Sequence, residues 1–161
     1  MRTAKRLTII LALLAALAVA APAAAATARP MSGSFTGTIF LAEPRCGDLL
    51  TVGLEGAGHA THLGKMTGSA TNCTTLDLGG AAAPVLNGEA TFVAADGSTI
   101  TVTYAGAQHS PVNGVATYEN TATVTGGTGR FTDDRGSLTI KGVTDFNAGT
   151  ISGSLSGWLA Y

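Results

Sequence analysis

The side chains able to do chemistry are few: Cys46 and Cys73, His59 and His62, the acids Glu119, Asp133 and Asp134, and the polar residues Tyr104, Tyr118 and Asn120 set among apolar neighbours. His59 and His62 stand three apart, so on one strand they project to opposite faces and cannot directly ligate the same metal. Leu63 shares the face of His59, whereas Ala60, Gly64 and Met66 share that of His62, and His62 is carried forward as the inward-facing candidate. Asp133 and Asp134 are adjacent on a short loop and point apart, and with Glu119 they do not make the spaced oxygen set that calcium requires. No metal site is expected. Gly126-Gly127-Thr128-Gly129-Arg130-Phe131 lacks the Gly-Lys-Ser/Thr ending and the long following helix of a phosphate cradle. Its expected role is structural: the glycines reverse the chain, Phe131 plugs the core, and Arg130 pairs with Asp133, Asp134 or backbone carbonyls.

Tyr104, Tyr118 and Asn120 fall on faces that also carry Ile100, Val102, Ala122 and Val124. A buried hydroxyl or amide needs a partner, so these are either satisfied core residues or the convergent polar groups of an apolar pocket. With His62 they form the candidate ligand-binding set. Such groups orient a molecule or stabilise developing charge without a nucleophile, metal or cofactor, and no cofactor is expected. No Ser-His-Asp spacing, nucleophile elbow or carboxylate pair is present to support hydrolase chemistry, and turnover of any kind is left open.

The elements that position these residues read as all-β. The chain has 161 residues, 45% hydrophobic and 12% charged, with 22 Gly, and its length suits one domain. Thr favours a pleated, half-buried surface, and Gly serves turns and bulges. Alternation marks strands at 35–41, 50–54, 58–67, 69–78, 88–95, 98–104, 115–125, 137–144 and 150–159. Asp96-Gly97 predicts a type I′ hairpin, since both central positions of that turn need positive φ. The segment after Thr125 is compact enough for one helical turn. Eight or nine strands at this spacing suggest a sandwich or an antiparallel up-and-down barrel, and long antiparallel neighbours with no helical crossover favour the barrel. Closure also removes the exposed edges that a weakly charged protein tolerates poorly. Eight strands enclose a filled core or one small ligand, and a cavity above roughly 300 Å³ lined by His62 or Tyr118 would favour the ligand.

Met1–Arg6 carries three positive charges, and an apolar run from Leu7 to Ala21 is followed by Pro22 and Ala23–Ala26. That order predicts a secretory signal peptide over 1–26, with a single barrel domain over 27–161; the run of about 15 residues is short of the roughly 20 that span a bilayer. No stable membrane anchor is expected after cleavage. In an oxidising space Cys46 and Cys73 predict a disulfide, closing a loop of about 28 residues for roughly 3–4 kcal/mol in the chain-entropy model. Removing Arg2, Lys5 and Arg6 leaves six cations against ten acidic residues, a net charge of about −4. That balance argues against nucleic acid as a partner, which would demand a basic stripe.

Two stretches, Gly58-His59-Ala60-Thr61-His62-Leu63-Gly64-Lys65 and Gly126–Phe131 followed by Gly136-Ser137-Leu138, resemble secreted bacterial members of the allene-oxide-cyclase-like barrel group, relatives of the dirigent proteins. The resemblance spans the chain after residue 26 in layout, but only those two motifs in residues. It implies an eight-stranded antiparallel barrel with a central cavity, used in some members to fold a reactive intermediate during ring closure. No pocket residues of the group map onto positions here. Three functions follow as expectations. The first is a secreted barrel that binds a small apolar or amphipathic molecule; the second is a cofactor-independent cyclase or isomerase; the third is an extracellular interaction protein with a packed interior and a Thr-rich outer face. Neither the ligand nor the oligomeric state is written in the residues.

Overall fold

The computed structural model describes residues 27–75 and 82–161. The proposed leader over 1–26 lies outside the described residues, as do 76–78 of a predicted strand and 79–81 of the loop after it. Eight strands follow in order: β1 (Ala28–Leu41), β2 (Leu50–Ala60), β3 (Gly64–Thr74), β4 (Ala83–Val93), β5 (Thr99–Gln108), β6 (Val115–Gly127), β7 (Arg135–Asp145) and β8 (Thr150–Ala160). Each pairs antiparallel with the next, and β8 pairs with β1, so the sheet closes into the expected up-and-down barrel.

The strand count is eight, and the reason is one turn. The predicted strand over 58–67 is divided: Gly58–Ala60 ends β2 and Gly64–Thr67 begins β3, with the chain reversing at Thr61-His62-Leu63. His62 takes φ 68° and Gly64 φ 67° to make that reversal. Small residues alternate on both sides of the turn, and Thr-His-Leu carries none of the Asn-Gly chemistry that announces a hairpin. The β4–β5 hairpin exists, but not as a type I′ turn. The Ala94 amide donates to the Ser98 carbonyl at 2.8 Å, leaving the three-residue loop Ala95-Asp96-Gly97. Gly97 alone of the three is left-handed, at φ 84°, and the Asp96 carboxylate accepts from the Ser98 amide at 3.0 Å.

Inward positions alternate along the regular stretches of the strands, as the period of two requires, and the parity switches on β4 between Val85 and Gly88, where the register shifts. On β6 these are Ala116, Tyr118, Asn120, Ala122 and Val124, all buried between exposed neighbours. The two ends of the barrel differ. At one end the chain termini of the barrel and the turns after β2, β4 and β6 gather. The segment after β6 forms a single 3₁₀ turn, Gly129–Phe131, with Gly129 left-handed at φ 61°. Phe131, at 0% exposure, plugs this end over Leu63, Ile100, Leu138, Leu155 and Leu159. Its guanidinium neighbour Arg130 lies over the Phe131 ring, donates to the His62 carbonyl and pairs with Asp96 at 3.4 Å. The carboxylate partner is therefore Asp96 rather than Asp133 or Asp134.

At the other end the β1–β2 loop is tied down by the disulfide between Cys46 and Cys73, which joins it to β3. Buried Thr51 supports the same loop, accepting from the Arg45 amide at 3.0 Å and donating to Cys46 Sγ at 3.1 Å.

Candidate functional site

In the half of the barrel away from Phe131 the interior is not filled. A cavity of about 140 Å³ lies there, walled by apolar side chains that include Phe35, Ile39, Leu54, Phe92, Ile140 and Ile151. It extends toward Thr74, Gln108 and Phe146, at the end that carries the β1–β2, β5–β6 and β7–β8 connections. The volume is below the 300 Å³ expected of a drug-sized pocket and close to the ~150 Å³ of a buried cavity that admits benzene.

Three inward glycines show how this space is shared. Gly88 on β4 is opposite Tyr104 on β5, and a Cβ at Gly88 would come within 2.5 Å of the Tyr104 ring. The ring therefore lies flat across the backbone of β4 and reaches β3, where its hydroxyl makes a long 3.5 Å contact to the Thr71 carbonyl. Tyr118 does the same on the far wall. It is in register with Gly142 on β7, which is in register with Gly153 on β8, and its hydroxyl donates to the Ser152 carbonyl at 3.1 Å. Burial pushes both tyrosine hydroxyls upward in pKa, with the neighbouring Tyr104 adding to the rise at Tyr118. Both stay neutral across the physiological range.

Asn120 sits two residues along β6 from Tyr118, and Asn72 lies on β3; both line the cavity at 7% and 8% exposure respectively. Among the described residues neither Oδ1 has a hydrogen-bond partner. A buried acceptor left unsatisfied costs roughly 1–3 kcal/mol, so two of them beside one apolar cavity need an explanation.

Of the four candidate ligand-binding residues, the fold brings Tyr104, Tyr118 and Asn120 to one cavity and leaves His62 out. His62 lies in the β2–β3 turn at the plugged end. Its Nε2–H donates to the Pro30 carbonyl at 3.0 Å, and its Nδ1 is 3.1 Å from the Tyr161 hydroxyl, which donates to it in the neutral ring. Tyr161 in turn meets Phe131 edge to face at 5.1 Å. His62 thus fastens the closed end and does not face the cavity; the period-two reading failed because the residue is in a turn, where alternation has no meaning. His59 is exposed on the outer wall.

The acidic candidates are dispersed as well. Glu119 is on the outer wall, paired with Lys141 at 3.0 Å, while Asp133 is exposed and Asp134 is buried. Among the described residues no three His, Cys, Asp or Glu side chains converge as a metal site would need.

Asn72 was missed as a cavity residue. Met66, Gly68, Ala70 and Asn72 share one parity, but strands drawn at 58–67 and 69–78 divide that run and hide the inward face of Asn72. No protein-family model matches the chain, and no curated protein matches it.

Proposed function

We propose that the chain is an exported barrel that holds one small apolar or amphipathic molecule in the cavity between Tyr104, Tyr118, Asn72 and Asn120. One observation carries the reading: two amide oxygens, on residues more than nine-tenths buried, have no partner among the described residues and border an apolar cavity. A core selected only for packing would fill such a space and replace such groups, because interiors are close-packed and unsatisfied acceptors are costly. Export through residues 1–26 accords with the Cys46–Cys73 bond, since disulfides persist in oxidising compartments. The two motifs that resemble the allene-oxide-cyclase-like group accord with a cavity-bearing barrel.

Cofactor-independent cyclisation in the same cavity has less support. Tyr104 and Tyr118 already direct their protons at backbone carbonyls and are held neutral by burial, so neither offers a base. The interaction-protein reading keeps the outer wall, where Thr36, Thr38, Thr103, Thr121 and Thr123 are exposed, but it gives no account of the cavity.

A panel of neutral C6–C10 compounds, followed by thermal shift and by chemical-shift changes in 2D NMR, tests the reading. Members of the panel raise the melting temperature and perturb residues around Tyr118 and Asn120, and Ala70→Phe, which fills the cavity, abolishes both effects. A panel without effect on the wild-type protein refutes cavity binding.

A further inference from the structure

Among the described residues, the buried polar atoms at the cavity that lack a partner have a common sign. The two Oδ1 atoms without partners, on Asn72 and Asn120, are acceptors. The Tyr118 and Tyr104 hydroxyls use their protons on the Ser152 and Thr71 carbonyls, so the capacity they retain is also to accept. The Asn120 amide is held against the adjacent strand, in register with Gly106, where a Cβ would approach its Oδ1 to 2.4 Å. The group is consequently placed by the glycine opposite it and does not drift to solvent.

Inward-facing charge is missing from the described walls of the cavity. Of the described residues bordering the cavity only Glu55 is ionisable at neutral pH, and it is exposed on the outward parity of β2. An ionised group entering this space would be buried without a counter-charge, at a cost far above that of any single hydrogen bond. An anion would in addition face the acceptor oxygens. The volume, about 140 Å³, admits a body of about one six-membered ring.

We infer that the occupant of this cavity is an uncharged molecule of about one ring that turns an O–H or N–H donor toward the amide oxygens of Asn72 and Asn120. The inference rests on the cavity-binding reading above and adds the chemistry of the ligand. The apolar body packs between Phe35, Ile140 and Ile151, and the donor satisfies an oxygen that no group of the described residues reaches. An alcohol, a primary amide or a neutral heterocyclic N–H meets the requirement; a hydrocarbon leaves the acceptors unpaired, and a carboxylate brings the wrong charge.

Three probes of nearly equal shape separate these cases: benzyl alcohol, toluene and benzoate, each titrated into the purified protein by calorimetry and by NMR. Benzyl alcohol is expected to bind at least about tenfold more tightly than toluene, as one well-placed hydrogen bond allows, and benzoate not measurably. Asn120→Leu brings the ratio of the first two close to one by raising the affinity for toluene. Toluene matching or exceeding benzyl alcohol in the wild-type protein overturns the donor requirement while leaving cavity binding intact. Benzoate binding best overturns the neutrality requirement. If none of the three binds while larger members of the C6–C10 panel do, the size class is wrong; if nothing binds at all, the underlying cavity reading fails with it. The wild-type ratio alone decides the donor question should Asn120→Leu fail to fold, and Asn72→Leu then supplies the second variant.

Discussion

Arg45 and Tyr104 donate to the same carbonyl oxygen, that of Thr71, at 3.0 Å and 3.5 Å. Tyr104 comes from the barrel interior, and Arg45 comes from the β1–β2 loop on the outside, where it also reaches the Asn87 carbonyl at 3.0 Å and Glu89 at 3.6 Å. The two carbonyls flank an irregularity: the β3–β4 register shifts between Thr71 and Cys73, and the β4–β5 register shifts between Val85 and Gly88. Bulges free backbone groups from the ladder, and here a guanidinium takes them up.

Arg45→Ala therefore loosens the wall behind the cavity. The side chain is about one-third exposed, so the loss is modest, about 1 kcal/mol in denaturant unfolding. Amide exchange at Asn72, Cys73 and Asn87 rises with it. Unchanged exchange at those positions contradicts a bracing role for Arg45.

Breaking the Cys46–Cys73 bond frees the loop that carries Arg45. The double variant Cys46→Ser/Cys73→Ser loses about 3 kcal/mol, close to the chain-entropy value, and melts roughly 10 °C lower. Its affinity for the cavity probe falls too, since Thr71 and Asn72 stand beside Cys73. Equal melting temperatures in the oxidised and reduced wild-type protein speak against this expectation.

Gly88 has no side chain because Tyr104 occupies its place. Gly88→Ala drives a methyl into a rigid ring and costs about 1–3 kcal/mol, whereas the same change in a Tyr104→Leu background costs distinctly less, giving a non-additive double-mutant cycle. Additive penalties would mean that the ring is not what excludes the Cβ.

Asp134 carries a pH dependence. It is 3% exposed and neither carboxylate oxygen has a hydrogen-bond partner. Burial raises its pKa; the Arg135 and Ala160 amides and a charged His62 temper the rise, although neither amide reaches hydrogen-bond geometry. The folded carboxyl holds its proton more tightly than the unfolded one, whose pKa is about 3.9. Its stabilising contribution is thus complete below that value and is lost as pH rises through the folded pKa. Asp134→Asn is expected to stabilise the protein by about 1 kcal/mol at pH 8 and much less at pH 4. Melting curves at the two pH values check this, and a gain that is the same at both disproves it.

The barrel was legible in the residues because a period of two survives any rearrangement of partners. Ile100, Val102 and Tyr104 on β5, and Ala116 through Val124 on β6, could only bury one face. Phe131 as a plug and Cys46 with Cys73 as a pair were legible for similar local reasons, a large apolar side chain behind glycines and an even pair of cysteines after the expected leader. His62 was not, because a left-handed turn without glycine at its centre looks in sequence like two more residues of strand.

Sequence alone determined an all-β chain of short antiparallel strands: alternation, turn chemistry and the absence of helical periods leave a sandwich or a barrel, and the pairing of β8 with β1 closes it. Tertiary structure alone decided which inward polar residues meet. Asn72 and Asn120 are 48 positions apart in the chain and share a cavity only because closure and strand stagger bring β3 and β6 across from each other. Whether an inward tyrosine fills the space or leaves room depends on the glycine it lies over in the next strand, and that register is a property of the paired sheet, not of either strand read by itself.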